Sequence, residues 1–321
     1  MRAILTHERF WLFAPFIGLF VLGVVTFGLW HMAAGRLSDA LAAAGVSWQG
    51  LERHGYPARI SLDMDAPRWR DQDRLWQTDS LSITMMPFQG GHAIVDFHTG
   101  HDIETERAKL NLAHQGNLAS LVADTSGLVR ASFELDRPKL TAQLKNAPMA
   151  HLFTADKIGL HGRRDEKPAH YEVALVTKEL RLPAIFGRAA DKPIPRFDVL
   201  SVLPEPFLRD GPMAGQTLVL DRLTMERDGL TLIARGTVKL AANGYVNGRL
   251  DLDAIKLDAL LDLLQEFNLV SARDRAKWLF FGGLGAALGG NPQDRLSVPL
   301  QFKNGRTFLG PLDLASAPRW K

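Results

Sequence analysis

The chain has 321 residues, of which 46% are hydrophobic and 23% charged, and it contains no cysteine. This composition excludes a disulfide-stapled scaffold, a cysteine-ligated zinc site, a thiol enzyme and a largely disordered protein. The formal net charge of +3 is too small for a nucleic-acid binder, so we expect no nucleic-acid partner.

The first predicted element is an apolar segment from Phe10 to Trp30 that carries no charged residue. As a helix rising about 1.5 Å per residue, it is long enough to cross the roughly 30 Å hydrocarbon core of a membrane. Trp11 and Trp30 lie at its two ends, and tryptophan is typical of membrane–water interfaces. We therefore predict a transmembrane anchor over residues 10–30. A cleaved signal peptide is the alternative.

The nine residues before the anchor predict the orientation of the chain. Arg2 and Arg9 outnumber Glu8 there, and a short basic tail tends to stay in the cytoplasm. We expect residues 1–9 to be cytoplasmic. In a bacterium with two membranes, residues 31–321 would then form a periplasmic domain anchored in the inner membrane.

The next elements are a short helix and a series of strands. Residues 31–46 are rich in alanine and predict a helix that continues from the anchor. Further along, apolar and polar residues alternate with a period of two, which is typical of antiparallel strands covered on one side. Segments with this pattern include residues 60–64, 81–85, 131–135, 140–144, 171–175, 246–252 and 296–302.

Turn-forming pairs separate several of these strands. Asn243-Gly244 predicts a hairpin between residues 230–240 and 245–255. Asp228-Gly229 and Asn304-Gly305 predict two more reversals. The motif Ala66-Pro67-Arg68-Trp69 recurs as Ala317-Pro318-Arg319-Trp320, and this echo marks either equivalent strand ends or a coincidence.

A proline-rich stretch divides the predicted sheet. Six prolines occur between residues 182 and 215. Because proline cannot donate a hydrogen bond to a neighbouring strand, we predict a long surface connection there rather than a central strand. Residues 183–215 would then join two halves of the domain, 31–182 and 216–321.

Two helices are predicted near the end of the chain. Residues 257–267 have leucines on one helical face, and Ser271 and Asp274 resemble a capping box that opens a helix toward Leu288. The apolar run from Trp278 is too short to cross a membrane. It either covers the open face of the sheet, or dips into lipid or gates an apolar groove.

Taken together, these elements predict a mainly β (α+β) fold. An N-terminal transmembrane helix would be followed by an elongated, curved antiparallel sheet with a few covering helices. The pattern leaves open whether the sheet closes into a barrel, splits into two domains or forms an open trough.

One short motif carries a family resemblance. Gly55-Tyr56-Pro57-Ala58-Arg59, which follows the anchor and opens a strand, resembles the uncharacterised proteobacterial domain-of-unknown-function family 2125. The ending from Asn304 to Leu312, with Ala317-Pro318, is similar to the end of that family. In physical terms, Gly55 permits an unusual backbone angle and Pro57 fixes the entry to the strand.

A more distant resemblance bears on function. The β-rich, helix-capped pattern is similar to that of periplasmic AsmA-like proteins, which have long twisted sheets with an apolar inner face. That resemblance implies a lipid-facing role by analogy only.

Candidate catalytic and metal-binding residues are few. His92, His98 and His101, with Asp96 and Asp102 between them, form the most enzyme-like group. Three or four ligands would have to converge at about 2.0–2.2 Å to hold a metal. Histidines scattered on a polar sheet face are the more common arrangement. We therefore predict no catalytic residue, no metal and no cofactor.

Two carboxylate pairs fit the same interpretation. Asp63 with Asp65 and Asp251 with Asp253 alternate with apolar residues, so we predict that they lie on the solvated face of the sheet. General acid–base catalysis would instead require such a pair in a cleft.

The leading functional hypothesis is a non-enzymatic, membrane-anchored protein that binds lipid or acyl chains in an apolar groove. An envelope protein-interaction scaffold is the second hypothesis, and a metal-dependent hydrolase is a minor third. The residues expected to face lipid are Ile60, Leu62, Met64, Leu250, Leu252, Trp278, Phe280 and Phe281.

Overall fold

A computed structural model describes residues 7–71, 73–86, 91–145, 150–166, 169–267, 269–271, 275–276, 295–310 and 312–320. Helix α1 (His7–Ala43) leads into a chain that is otherwise mostly β-strand. A 3-10 helix (Ala184–Ala190) and two short helices, α2 (Glu205–Asp210) and α3 (Leu257–Glu266), interrupt the strands. The predicted class, a helix followed by a large antiparallel sheet with few helices, is confirmed.

The strands form two open sheets in which neighbouring strands are antiparallel. The larger sheet has fifteen strands, arranged in the order of the chain. They are β2 (Gly50–His54), β3 (Ile60–Asp65), β6 (Ser80–Met85), β7 (His92–Phe97), β10 (Gly116–Asp124), β11 (Gly127–Asp136), β14 (Lys157–Arg164), β15 (His170–Leu180), β16 (Ile194–Pro204), β17 (Thr217–Arg227), β18 (Leu230–Leu240), β19 (Val246–Ile255), β20 (Arg295–Lys303), β21 (Arg306–Leu309) and β22 (Leu312–Ser316).

The smaller sheet has seven strands, which alternate along the chain with the first strands of the larger one. They are β1 (Val46–Ser47), β4 (Arg68–Asp71), β5 (Arg74–Thr78), β8 (His101–Glu104), β9 (Ala108–Ala113), β12 (Lys139–Leu144) and β13 (Ala150–Thr154). Only one to three residues separate a strand of one sheet from the next strand in the other at each of these changes of sheet. The chain therefore turns corners between the sheets.

Two of these corners have the same construction. Ala66 and Arg137 have positive φ angles, and each precedes a proline that starts the turn into the smaller sheet. The Ala66 amide donates to Asp79 O (2.7 Å), and the Arg137 amide donates to Asp156 O (2.8 Å). Because proline has no N–H, it ends the pairing of one sheet at that point without leaving a buried donor unpaired.

The echo of Ala66-Pro67-Arg68-Trp69 also has a structural counterpart. The indole of Trp69 donates to Ala44 O, and the indole of Trp320 donates to Ala241 O, both at 3.1 Å. Both motifs thus end with a tryptophan whose indole donates a hydrogen bond to a backbone carbonyl of another segment.

Helix α1 packs its C-terminal part on the beginning of the larger sheet. Trp30 and Ala34 are buried in a hydrophobic core, and Leu37 and Leu41 pack against it. The helix predicted over 31–46 is therefore the last part of α1, which ends at Ala43. By length and composition, α1 is the one helix of the described residues that could cross a membrane.

Helix α3 covers the other end of the same sheet. Leu260 and Leu263 are buried with Met225, Leu230 and Ala254 in a second core. The predicted helix over 257–267 is confirmed, with its end at Glu266. The second predicted helix, from Ser271 toward Leu288, lies mostly outside the described residues.

The prediction that residues 183–215 contain no central strand is wrong. β16 pairs with both β15 and β17, so the larger sheet continues without a break through this region. The prolines lie at the ends of the strand, at positions 193, 195 and 204, and its interior from Arg196 to Leu203 contains none. A strand of this kind keeps its ladder hydrogen bonds.

The predicted reversals are confirmed. Asp228-Gly229 and Asn304-Gly305 form two-residue turns with positive φ at both positions. A longer turn containing Asn243-Gly244 joins β18 to β19, whose strands pair along their full length.

Candidate functional site

The predicted strand-entry motif docks on helix α1. The Tyr56 hydroxyl lies 2.7 Å from the Thr26 hydroxyl and donates to Gly23 O at 3.0 Å. Its ring meets the rings of Phe27 and Trp30 edge to face, with centroid distances of 5.3 and 6.1 Å. The motif therefore fixes the β domain against the apolar helix.

The backbone of the same motif explains its glycine. Gly55 has a φ angle of +101°, and a Cβ there would lie 2.9 Å from the carbonyl oxygen of Arg59. The Arg59 amide donates to Gly55 O at 2.9 Å, which closes the loop that carries Tyr56 and Pro57. The turn from helix to sheet that the sequence predicts is thus also the element that holds the helix.

Trp30 has a different environment from the expected membrane interface. It is only 8% exposed within the hydrophobic core, and its indole donates to Arg59 O at 2.7 Å. Phe10 and Trp11 belong to helix α1, but their side chains lie outside the described residues.

The first three residues expected to face lipid lie beneath α1. Ile60, Leu62 and Met64 alternate along β3 as predicted, and Leu62 is fully buried. They form the core that receives Trp30 and Ala34. Their apolar face is therefore covered by the protein's own helix.

A continuous apolar row crosses the larger sheet from this core to the one under α3. Each residue of the row is directly paired with the next across neighbouring strands, so all of them share one face. The row consists of Leu62, Ile83, Val95, Ala119, Phe133, Leu160, Leu175, Val199, Leu223, Ala234, Leu252 and Val298.

The middle of this face is accessible, whereas its ends are covered. Leu160 in the row is 44% exposed, and Leu121, two strands away on the same face, is 38% exposed. Leu252, near the far end, packs against the core formed by Leu261 and Leu309 under α3. Leu250 is half-buried on the same face. Trp278, Phe280 and Phe281 lie outside the described residues.

The opposite face of the sheet is more polar. Ser82, Asp96, Leu118 and Glu134 are paired across it. Among the predicted carboxylates, Asp63 lies 2.8 Å from His54 Nε2. Asp251 is 68% exposed and pairs with Arg249 at 2.7 Å. The alternation that the sequence predicts therefore distinguishes an apolar face from a polar one.

The three histidines of the enzyme-like group do not come together. His92 bonds to Ser120 at 3.0 Å and His98 to Ser82 at 2.9 Å, both on the polar face. His101 is buried beyond the next corner. Across the part of the chain that the structure describes, no three His, Cys, Asp or Glu side chains are placed to share a metal ion.

His101 belongs to a buried polar cluster that sequence reasoning missed. The Trp76 indole donates to His101 Nδ1 at 3.3 Å, and His101 Nε2 lies 2.6 Å from the Asn117 side-chain amide. An indole N–H can only donate, so Nδ1 is the acceptor and Nε2 carries the hydrogen. The amide orientation in which Asn117 Oδ1 accepts then also gives that buried oxygen a partner.

Burial and the neighbouring His114 lower the pKa of His101 to about 4, against a smaller opposing effect of Asp102. The imidazole is therefore neutral near pH 7. The spacing of Trp76, His101 and Asn117 in the sequence gave no signal for this cluster, because Trp76 and His101 lie on neighbouring strands of the smaller sheet and Asn117 comes from β10 of the larger sheet.

These features define a class: a β-sheet protein with one membrane-length N-terminal helix, whose sheet presents an accessible apolar face. The family model described as "Uncharacterized protein conserved in bacteria (DUF2125)" matches residues 31–318. The chain therefore belongs to this uncharacterised bacterial family, as its Gly-Tyr-Pro-x-Arg motif predicts. No curated protein matches it.

Proposed function

We propose that this protein is a non-enzymatic, single-pass component of the bacterial envelope that binds acyl chains of lipids on the apolar face of its larger sheet. In this proposal α1 spans the inner membrane, residues 1–9 are cytoplasmic and the β domain is periplasmic. The protein would hold or transfer lipid during envelope maintenance.

The observation that supports the proposal most is the cross-strand row from Leu62 to Val298. At a strand spacing of about 4.8 Å, the row extends for roughly 50 Å. In the middle of this face, the side chains of Leu160 and Leu121 are exposed and accessible to a ligand. Contiguous exposed apolar surface of this kind is typical of binding sites for apolar ligands or partners.

The contact between Tyr56 and α1 supports the proposal that lipid reaches the sheet from the membrane. Transfer of a lipid from the bilayer to the sheet requires that the sheet be held next to the membrane. The hydrogen bonds of Tyr56 hold the sheet against helix α1 in this way. The apolar row therefore begins next to this helix, because Leu62 and Trp30 belong to the same core, and it becomes accessible in its middle.

The experiment is lipid analysis by mass spectrometry of the full chain, extracted in a mild non-ionic detergent. We expect co-purifying lipid in the wild type and a loss of about tenfold in Leu160→Asp. Leu118→Asp is the matched control, because Leu118 is 49% exposed on the opposite face of the same sheet. Lipid absent from the wild type, or equal losses in both variants, would overturn the proposal.

An envelope protein-interaction scaffold is the second candidate, and the open sheet edges favour it. β2 pairs only with β3 among the described strands, so its outer edge can accept a strand from a partner. Replacing Glu52 in β2 with proline would disfavour pairing of a further strand at this edge. This candidate predicts loss of a specific crosslinked protein in cells, with bound lipid unchanged.

A further inference from the structure

A cavity of about 570 Å³ lies where α3 crosses the hairpin between β17 and β18. Side chains from α3, from this hairpin and from the 3-10 helix surround it. Its charged lining residues are Arg188, Lys192, Arg227, Asp228, Lys256, Asp258, Asp262 and Glu266.

Arg227 is the unusual member of this lining. Its side chain is only 2% exposed, and one nitrogen, Nη2, lies 2.9 Å from Glu266 Oε2. Nε and Nη1 make no hydrogen bond to any group within the described ranges. Asp228 Oδ2 is 3.9 Å from Nε, which is too far for a hydrogen bond. Buried guanidinium N–H groups without acceptors are costly, so this arrangement is suited to receiving oxygens from a ligand.

The lining carries four cationic and four acidic residues, and Arg275 beside it brings the local sum of charges to +1. Its acidic residues already have cationic partners within 4 Å: Asp228 with Lys192 (3.0 Å), Asp262 and Asp258 with Arg275 (2.8 and 3.7 Å), and Glu266 with Arg227. Arg188 and Lys256 have no such carboxylate in the part of the chain that the structure describes. An anionic group entering the cavity would therefore meet unpaired positive charge.

The N-terminus of α3 adds to the positive electrostatic potential in the cavity. Lys256 precedes the helix with a φ angle of +69° and provides no side-chain cap. The first N–H groups of a helix lack intrahelical acceptors and carry the positive end of the helix dipole. Asp258 and Ala259 of this first turn line the cavity.

The apolar face of the sheet ends at the same place. Arg227 follows Met225 by two positions on β17, so both lie on the apolar face. Leu230 and Leu263 line the cavity and share a core with Met225. An acyl chain on this face would thus have the cavity at one end.

We propose that the cavity binds the phosphate or carboxylate of an anionic amphiphile whose acyl chain lies on the apolar face. The inference rests on the proposed function, and it adds the class of ligand: a lipid with an exposed anionic head group. Arg227 and Lys256 are its positioning residues, since they would hold the head group while the sheet holds the chain.

The test measures binding of four soluble probes to the full chain in a non-ionic detergent by titration calorimetry, with empty micelles as the reference. The probes are octyl phosphate, octanoate, octanol and inorganic phosphate. We expect both anionic amphiphiles to bind at least about tenfold more tightly than octanol, as charge-assisted hydrogen bonds would give. Inorganic phosphate should bind more weakly than octyl phosphate.

Variants connect this preference to the cavity. Arg227→Gln should bring octyl phosphate to within about twofold of octanol. Because Arg227 is buried, the exposed residue Lys256 provides a second variant, Lys256→Gln, which should reduce the preference without affecting folding. Lys239→Gln is the control, since Lys239 is exposed at the other end of β18.

The outcomes separate this inference from the proposed function. Equal binding of octanol and octyl phosphate, unchanged in both cavity variants, would overturn the head-group site and leave acyl binding intact. Inorganic phosphate that binds as tightly as octyl phosphate would overturn the link to an amphiphile. Binding of none of the probes would overturn the site and the acyl-binding function together.

Discussion

The hydroxyl of Tyr56 lies 2.7 Å from the hydroxyl of Thr26, thirty residues earlier in helix α1. This contact joins the family motif to the apolar helix and makes the β domain a docked rather than a freely tethered unit. Gly23 O accepts a further hydrogen bond from the same hydroxyl, so the loop contacts one turn of the helix at two atoms.

Removing the hydroxyl should loosen this docking. Tyr56→Phe retains the ring contacts with Phe27 and Trp30 but loses its hydrogen bonds, at a cost of about 1 kcal/mol. Because the chain has no native cysteine, spin labels can be placed at Leu29→Cys and Glu52→Cys. The distance distribution between them should broaden in Tyr56→Phe.

The control for this experiment is Tyr171→Phe. The Tyr171 hydroxyl donates to Leu128 O within the sheet domain, away from the helix. This variant should leave the distance distribution unchanged. Equal broadening in the two variants would mean that the hydroxyl of Tyr56 does not hold the helix.

The same contact predicts that the loop that carries Tyr56 and Pro57 lies within the thickness of the membrane. From Phe10 to Gly23 the helix rises only about 20 Å, less than the roughly 30 Å of a hydrocarbon core. Apolar side chains remain exposed beyond Gly23, at Leu29 and Met32. If α1 spans a bilayer, lipid must therefore extend past the level at which Tyr56 contacts the helix.

A fluorophore at Ala58→Cys measures this depth in liposomes that contain nitroxide-labelled lipids. We expect strong quenching at Ala58 and none at Asn243→Cys, which lies in the turn between β18 and β19. Equal, weak quenching at the two positions would place the loop outside the bilayer.

The buried cluster around His101 predicts a pH dependence of stability. The pKa of His101 is about 4 in the folded protein and about 6.5 in an unfolded chain. Between these values the unfolded state binds more protons, so stability falls as the pH decreases from about 6.5 to about 4. The shift corresponds to roughly 2–4 kcal/mol for this group.

Chemical unfolding at pH 7 and pH 4.5 measures this effect. His101→Gln should flatten the difference between the two pH values, whatever it does to stability at pH 7. His151→Gln replaces a partly exposed histidine and should keep the wild-type difference. A difference that persists unchanged in His101→Gln would contradict the assignment.

A close approach of two strand backbones predicts a strong mutational effect at Gly236. Its φ angle is +149°, and a Cβ there would lie 2.2 Å from the carbonyl oxygen of Arg249 on the neighbouring strand. Gly236→Ala should lower the free energy of unfolding by about 2–4 kcal/mol. Gly162→Ala, where the nearest atom is 4.0 Å away, should have a much smaller effect in the same denaturation experiment.

Local patterns predicted much of this fold, because each depends on few residues. Alternation identified β3 and β20, and Asn304-Gly305 identified a turn, since two positive φ angles suit those residues. The count of prolines over 182–215 misled because it ignored their positions: three lie at the ends of β16, three lie outside it, and its interior contains none.

The site was less predictable, because it depends on long-range register. Alternation places Leu160 on an apolar face of its own strand, but it does not show that Phe133 and Leu175 lie beside it. Ile60, Leu62 and Met64 have the same alternation and are nevertheless covered by α1. Arg227 gave no signal, since its burial depends on the position of Glu266 in a helix thirty-nine residues later.

Site-specific photocrosslinking in native membranes identifies what contacts the accessible part of the apolar face. A photoreactive amino acid at position 160 of the full chain would sample the accessible middle of the apolar row, and one at position 118 would sample the opposite face. We expect a lipid adduct, identified by mass spectrometry, at 160 and not at 118. No lipid adduct at 160, or a protein adduct in its place, would contradict binding of lipid on this face.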